Sequence, residues 1–301
     1  MHSFACVFIG EKMTGQTTGQ NTNNPLQKYF RQPKLHVRLP SGGKYYPPGT
    51  LDLPESGEVA IYPLTAKDEL LLKTPDSLMN GTATADVIKS CVPQIKNPWY
   101  MPSLDVDALI IAIRIATYGP EMTLTVKVPN TGDEKDFTVD LNNLVEPLMS
   151  AKYDAVIQLD KMKITLRPLM YSEFTKDAIR SFEEQRVYNL LNDDTVPAEE
   201  KMERFRAAFN RLTDLTVETV AKSIAQIEVD DQVVSEPKHI LEFMQNTSKE
   251  FYTTILNHIS EQRDKFAVKP FIANTTKEEQ EKGAPETFEV PITFDQSNFF
   301  V

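Results

Sequence analysis

The amino-acid sequence predicts an α+β fold, in which β-rich N-terminal and C-terminal parts with short hairpins lie around a central buried helix, and a helical bundle is inserted between them. Three patterns lead to this prediction. Short alternating apolar segments separated by Pro and Gly occupy residues 33–63, an almost entirely apolar helix follows, and residues 171–265 carry apolar residues at steps of three and four.

Composition limits the classes of function. The chain has 301 residues, of which 41% are hydrophobic and 25% charged, as in a folded globular protein. Its formal net charge of -11 repels phosphate backbones and anionic lipid, so we expect neither nucleic acid nor a membrane as a partner. No apolar stretch of the sequence reaches the roughly 20 residues that a membrane-spanning helix needs.

The sequence contains no recognisable metal, cofactor or catalytic motif. Cys6 and Cys91 are too few for a disulfide framework or a cysteine-based zinc site, and no histidine has a partner at metal-ligand spacing. The turn Ser41-Gly42-Gly43-Lys44 lacks the full phosphate-loop pattern and the helix that should follow it. We therefore expect no cofactor, no metal and no enzymatic activity.

A polar leader precedes the first predicted strand. The opening MHSFACVFIGEKMTGQ has no cationic region before its apolar run, so it does not look like a signal peptide, and Met13 is an alternative start. We expect residues 1–28 to be a disordered leader and residues 29–170 to be an α+β domain. Residues 171–266 are then a helical domain, and residues 267–301 are strands that return to the α+β domain.

The α+β domain begins with short strands, turns and helices. The strand-like pieces KLHVRLP and EVAIYP are separated by turns at residues 41–43 and 47–49. Thr65 and Asp68 have the spacing of a capping box ahead of three leucines, which predicts the start of a helix. The segment TADVIKSCV predicts a second short helix.

The clearest helix is predicted over residues 104–118. Ser103 is its predicted cap, and Gly119 followed by proline ends it. Because Ile111 and Ile115 fall outside its main apolar face, this helix is apolar almost all round, and we expect it at the centre of the core.

Two hairpins are predicted after the central helix. Residues 122–128 and 137–141 alternate apolar and polar side chains and are joined by PNTGDEK. The pieces AVIQL and MKITLRP form the second pair around Asp160 and Lys161.

From residue 171 the pattern becomes helical. We predict helices over residues 171–191, 198–215 and 217–227, and two more before residue 266. Each carries one apolar stripe, such as Phe174 and Phe182 in the first, so we expect the helices to pack as a bundle. Extended chain returns from residue 267, interrupted by the charged loop NTTKEEQEKGAPE.

Six aromatic residues in adjacent pairs are candidate partner-binding residues, because aromatic side chains are favoured at contact surfaces. They are Tyr45, Tyr46, Trp99, Tyr100, Phe299 and Phe300. Anchoring in the protein's own core is the alternative, above all for Trp99. Both options also apply to the final VPITFDQSNFFV, where residues 290–294 suit an edge strand and residues 295–298 suit a turn that folds the last phenylalanines back.

Five segments resemble one known family when they are taken in order. They are LHVRLPSGGKYYPPGTL, VAIYPLTAKDELLLKTPDSLMNG, VIKSCVPQIKNPWYMPSLDVDALIIAIRIATYG, MTLTVKVP and FDQSNFF. They resemble the tail baseplate proteins of T-even-like contractile-tailed bacteriophages (myoviruses), over residues 29–301 and most specifically over residues 61–118. The resemblance implies a baseplate hub subunit or hub-assembly factor, with other tail baseplate and hub proteins as partners.

One hairpin departs from the pattern that this resemblance implies. Relatives often carry cysteine pairs there, as in a zinc ribbon, whereas KVPNTGDEKDF has Val128 and Thr131 where a Cys-x-x-Cys pair would lie. We expect the ribbon to persist without metal, stabilised by the packing of Val128 and Phe137.

The leading hypothesis is a non-enzymatic structural or assembly component of a phage baseplate hub that acts through protein contacts. It would be present in the host cytoplasm during assembly and, if it stays, in the virion tail baseplate. The alternative is a transient tail-assembly chaperone that binds a hub or tape-measure protein and is absent from the mature virion. A third, weaker hypothesis is a peptidoglycan hydrolase that uses acidic residues.

Overall fold

The computed structural model describes residues 24–74, 80–186, 197–292 and 299–300. The chain divides into two units, Met1–Arg31 and Gln32–Val301. In the first unit, a 3-10 helix spans Pro25–Tyr29 and begins at Asn24, whose side chain accepts a hydrogen bond from the Leu26 main-chain nitrogen. Most of the predicted leader lies outside the described residues.

The second unit begins with the predicted β element. Strands β1 (Leu35–Arg38) and β2 (Glu58–Ile61) pair antiparallel. Helix α1 (Ala66–Leu72) then starts at the predicted capping box, in which Thr65 and Asp68 bond to each other's main chain. Helix α2 (Thr82–Cys91) follows.

The central helix is confirmed, but its cap is not the predicted Ser103. A 3-10 turn spans Ser103–Asp105, and helix α3 (Val106–Tyr118) is buried on nearly every face and ends at Gly119. Asp105 occupies the cap position without capping the helix, because its carboxylate is bonded elsewhere.

The first predicted hairpin is present as β3 (Glu121–Lys127) and β4 (Glu134–Asp140). Val128 is buried at its turn, and the Phe137 ring lies about 6 Å from the rings of Phe271 and Phe288. Packing against a neighbouring strand pair therefore stabilises this hairpin. Helix α4 (Asn142–Ser150), which the sequence patterns did not predict, follows it.

A four-stranded antiparallel sheet follows, in the order β5 to β8. Its strands are β5 (Val156–Leu159), β6 (Met162–Leu166), β7 (Ile224–Val229) and β8 (Gln232–Val234). The helix predicted over residues 217–227 is thus wrong in its second half. Pairing with β6 places Ile227 opposite Ile164, and this partner, distant in the sequence, favours the strand.

The structure describes four helices in the segment between β6 and β9. They are α5 (Tyr171–Gln185), α6 (Ala198–Lys222), α7 (Pro237–Asn246) and α8 (Lys249–Lys265). The predicted residues 187–191 of the first helix lie outside the described residues. Part of their apolar stripes stays uncovered, since Phe174 and Phe182 on α5 and Met202 and Phe209 on α6 are exposed.

The chain then forms β9 (Phe271–Asn274), a short helix α9 (Lys277–Glu281) within the predicted charged loop, and β10 (Thr287–Val290). Strands β9 and β10 pair antiparallel. Within the described ranges, no helix has the length and apolar character to cross a membrane.

Two hydrophobic clusters form the core of this α+β fold. The first surrounds α3 and includes side chains from β2, α2 and α4, together with Phe299 and Phe300. The second joins the four-stranded sheet to α6, α7 and α8. The boundary that we expected at residue 170 lies between β6 and α5. Strands β5 and β6 precede it, but they share a sheet and a hydrophobic cluster with β7 and with helices that follow it.

Candidate functional site

The N-terminal end of α3 carries a buried carboxylate network. Asp105 has no exposed surface and accepts hydrogen bonds from the Ser41 main-chain N–H (2.7 Å), the Ser41 hydroxyl (2.6 Å) and the Tyr46 hydroxyl (3.0 Å). Burial raises the pKa of Asp105 to about 6, although these three donors oppose that rise. The network fixes the turn after β1 to the central helix.

The other end of α3 holds the last described residues. The buried Arg114 donates from Nε to the Phe299 carbonyl oxygen at 2.7 Å, and its guanidinium carbon lies 4.6 Å from the centre of the Tyr118 ring. The Tyr118 hydroxyl lies 2.9 Å from a Glu69 carboxylate oxygen and 3.1 Å from the Phe300 carbonyl oxygen. Side chains of α3 thus lie within hydrogen-bond distance of both main-chain carbonyl oxygens of the phenylalanine pair.

The phenylalanine pair belongs to the protein's own core. Phe299 is 2% exposed, Phe300 is also buried, and their rings meet edge to face at 5.1 Å. Both residues belong to the cluster around α3. In this conformation they offer almost no surface to a partner, so of the two options raised by the sequence the structure favours internal anchoring.

The other predicted contact residues differ in exposure. Tyr45 is half-buried, with its ring at 5.7 Å from that of Tyr153, and Tyr46 is held by Asp105. Trp99 is half-buried and stacks on Tyr171 with ring centres 5.5 Å apart. Tyr100, at 45% exposed, is the most exposed of the six.

The Trp99 stack is tied to α2 through a close contact with a glycine. The Tyr171 hydroxyl donates to the Gly81 carbonyl oxygen at 3.2 Å. Gly81 has a φ of 76°, and an added Cβ would lie 2.7 Å from that hydroxyl oxygen. Only glycine fits both the left-handed backbone and the contact. The stack is therefore a structural joint between α2 and α5.

A buried carboxylate also connects two of the helices. On α5, the buried Asp177 accepts from Lys222 at 2.8 Å and from Thr219 at 2.9 Å on α6. Asp107, in the first turn of α3, is half-buried, and this burial raises its pKa to about 6. Among the described residues, no three His, Cys, Asp or Glu side chains form a group that could hold a metal ion.

The sequence patterns missed the exposed apolar surface of α5 and α6. Phe174, Phe182, Met202 and Phe209 are each about half exposed or more, yet their spacing led to their assignment to a closed bundle. Spacing shows that apolar residues share a helix face, but it does not show whether another element covers that face. This surface and Tyr100 are the candidate contact sites.

The chain matches a known protein family. A family model described as T4 bacteriophage base plate protein matches residues 32–289, which include the four-stranded sheet and most of both hydrophobic clusters. No curated protein and no solved structure matches the chain.

Proposed function

This chain belongs to the T4 bacteriophage base plate protein family, and from that membership we propose that it is a non-enzymatic component of the phage baseplate hub, either as a subunit or as an assembly factor. The family match over residues 32–289 carries the proposal. We propose that the protein acts through contacts with other tail proteins, in the host cytoplasm during assembly and in the virion tail baseplate if it stays.

The distribution of apolar side chains supports a role in protein contacts. Isolated exposed apolar residues are ordinary, but several on one surface mark interaction sites. Phe182 on α5 and Phe209 on α6 are both exposed, and the ion pair between Glu184 and Arg211 joins the two helices near them. Tyr100 is a further proposed contact, whereas Phe299 and Phe300 are proposed as internal anchors that keep the central helix and its surroundings rigid.

The copy number of the chain in purified tails tests the proposal. We expect a hub subunit to be present at a fixed stoichiometry to other baseplate proteins when tails are analysed by quantitative mass spectrometry. An assembly factor would be absent from tails but required for their formation. Complete baseplates from phage that lack the gene would contradict both versions.

A transient tail-assembly chaperone is the second candidate, and the exposed apolar residues of α5 and α6 favour it. A chaperone needs apolar surface to hold an aggregation-prone partner and must release it later. Affinity capture from infected cells would then recover an unassembled hub or tape-measure protein, and mature virions would contain none of this chain. Stable incorporation into virions would exclude this candidate.

A further inference from the structure

Asn80 and Gly81 form a reactive pair at the start of helix α2. Asn80 is exposed to water and Gly81 is buried. No other asparagine in the sequence is followed by a glycine. The main-chain nitrogen that follows an asparagine can attack the side-chain amide of that asparagine, so the contacts of both groups bear on the chemical stability of the chain here.

The main-chain nitrogen of Gly81 is not held by a hydrogen bond. The Gly81 carbonyl oxygen accepts from the Ala85 main-chain N–H at 3.1 Å and from the Tyr171 hydroxyl at 3.2 Å. The Gly81 N–H donates to no group among the residues that the structure describes, although a buried N–H is normally paired. Because glycine has no Cβ, no side chain of its own blocks the approach of this nitrogen to Asn80.

The start of α2 polarises the side-chain amide of Asn80. Its Oδ1 accepts a hydrogen bond from the Thr82 main-chain N–H at 2.9 Å. Thr82 is the first residue of α2, so this N–H has no partner within the helix and lies at the positive end of the helix dipole. A donor fixed on a carbonyl oxygen stabilises the negative charge that develops there when a nucleophile attacks the carbon.

We propose that Asn80 is a site of spontaneous deamidation in which Gly81 supplies the attacking nitrogen. That nitrogen forms a bond to Cγ of Asn80, the bond from Cγ to the amide nitrogen breaks, and the proton lost by Gly81 leaves with the departing ammonia. Water then opens the cyclic imide. Opening at one carbonyl gives aspartate, and opening at the other gives isoaspartate, in which the main chain runs through the former side chain.

The two products act differently on the start of α2. Aspartate at position 80 leaves the path of the main chain unchanged and places a carboxylate against the Thr82 N–H, where an anion is favoured. Isoaspartate adds a carbon atom to the main chain immediately before Gly81. Only isoaspartate therefore forces the backbone of Gly81 to move.

The surroundings of Gly81 make that movement costly. An added Cβ on Gly81 would lie 2.7 Å from the Tyr171 hydroxyl oxygen, so the backbone already fits tightly against this side chain. The same hydroxyl binds the Gly81 carbonyl oxygen, and the Tyr171 ring stacks on Trp99. We expect isoaspartate to break this hydrogen bond or shift the stack, and so to weaken the joint between α2 and α5.

Peptide mapping of the aged protein tests the site. The full chain is incubated at 37 °C and mildly alkaline pH, and tryptic peptides are followed by mass spectrometry with enzymatic labelling of isoaspartate. Asn130 and Asn274, both exposed and followed by threonine, are internal controls. We expect deamidation at Asn80 to be at least about tenfold faster than at either control, with both products formed. Equal rates, or aspartate without isoaspartate, would overturn the proposal.

Two variants test the route and its consequence. Asn80→Gln keeps the amide but requires a larger ring, so it should form no isoaspartate at this position. Asn80→Asp reproduces the aspartate product and should be at least as stable as the fresh wild type. Circular dichroism checks that both variants are folded. Isoaspartate in aged Asn80→Gln would overturn the assigned route.

Urea unfolding separates the effects of the two products. We expect aged wild type to contain a population whose unfolding midpoint is lower by about 0.5 M or more, which fresh Asn80→Asp and aged Asn80→Gln lack. This population should grow in step with the isoaspartate content. An isoaspartate-rich sample that unfolds like fresh Asn80→Asp would overturn the assigned effect on the joint.

Discussion

The Nε of Arg114, on the central helix, donates a 2.7 Å hydrogen bond to the main-chain carbonyl oxygen of Phe299, which lies 185 residues away in the sequence. Both groups are buried. A charged donor fixed against a buried acceptor is among the stronger hydrogen bonds in a protein. This bond fixes the main chain at Phe299, whose ring lies with that of Phe300 in the hydrophobic cluster around α3.

Replacing Arg114 by Met should lower the free energy of unfolding by about 1.5–3 kcal/mol, because the Phe299 carbonyl loses its charged donor. Urea unfolding followed by circular dichroism measures the change. Arg263→Met is the control, since Arg263 is exposed and should change stability by less than about 0.5 kcal/mol. Equal effects of the two substitutions would mean that the bond to Phe299 does not anchor the chain.

Replacing Phe299 by Ala should cost about 3–5 kcal/mol of unfolding free energy, because a buried aromatic ring leaves a cavity. Phe182→Ala removes an identical side chain from an exposed position and should cost less than about 1 kcal/mol. Denaturant titration of the purified chains compares them. Normal stability of Phe299→Ala combined with failed baseplate assembly would instead make this residue a contact for a neighbour.

Replacing Tyr46 by Phe should destabilise the protein by about 1.5–3 kcal/mol at pH 8, since it removes a donor to the ionised Asp105. The loss should be smaller at pH 4.5, because Asp105, with a pKa of about 6, is then largely protonated and the hydrogen bond is no longer charge-assisted. Thermal melts at the two pH values measure this difference.

Tyr45→Phe is the adjacent control, because the structure shows an edge-to-face ring contact for Tyr45 and, among the residues that it describes, no hydrogen bond from the Tyr45 hydroxyl. It should be nearly neutral at both pH values. A pH-independent loss in Tyr46→Phe would show that packing, and not the bond to Asp105, accounts for the effect.

Replacing Asp107 by Asn should stabilise the protein at pH 7–8. Burial raises the pKa of Asp107 in the folded state from 3.8 to about 6, so the folded state binds the proton more tightly than the unfolded state. The associated stability is fully present below about pH 3.8 and is lost as pH rises through about 6. Asparagine cannot ionise and avoids this loss.

The gain from Asp107→Asn over the wild type should therefore be about 1–3 kcal/mol larger at pH 7.5 than at pH 4. Chemical unfolding at both pH values measures it. Asp136→Asn, at an exposed position of β4, is a control for the general effect of removing one negative charge. If the stability gained by Asp107→Asn does not change with pH, burial does not raise the pKa of Asp107 in the folded state.

Local sequence signals predicted much of the secondary structure. The capping box of Thr65 and Asp68, the apolar helix that ends at Gly119, and the alternating strands around the turn near Gly132 depend on residues a few positions apart. Their energetics are short-range, so they can be recognised from the sequence alone. Strand β7 could not, because its partner β6 lies about 60 residues earlier.

The contact sites depended on tertiary structure. By spacing, Phe182 and Phe209 look like core residues, whereas the sequence leaves Phe299 and Phe300 open between a core anchor and a partner contact. In the structure the first two are exposed and the last two are buried beside Arg114.

The sequence by itself determined that the chain is an acidic α+β protein with a central apolar helix, short hairpins and a resemblance to phage baseplate proteins. Only the tertiary structure decided which apolar side chains are covered and which remain exposed. The physical reason is that periodicity depends on neighbours along one helix or strand, whereas burial depends on elements brought together from distant parts of the chain.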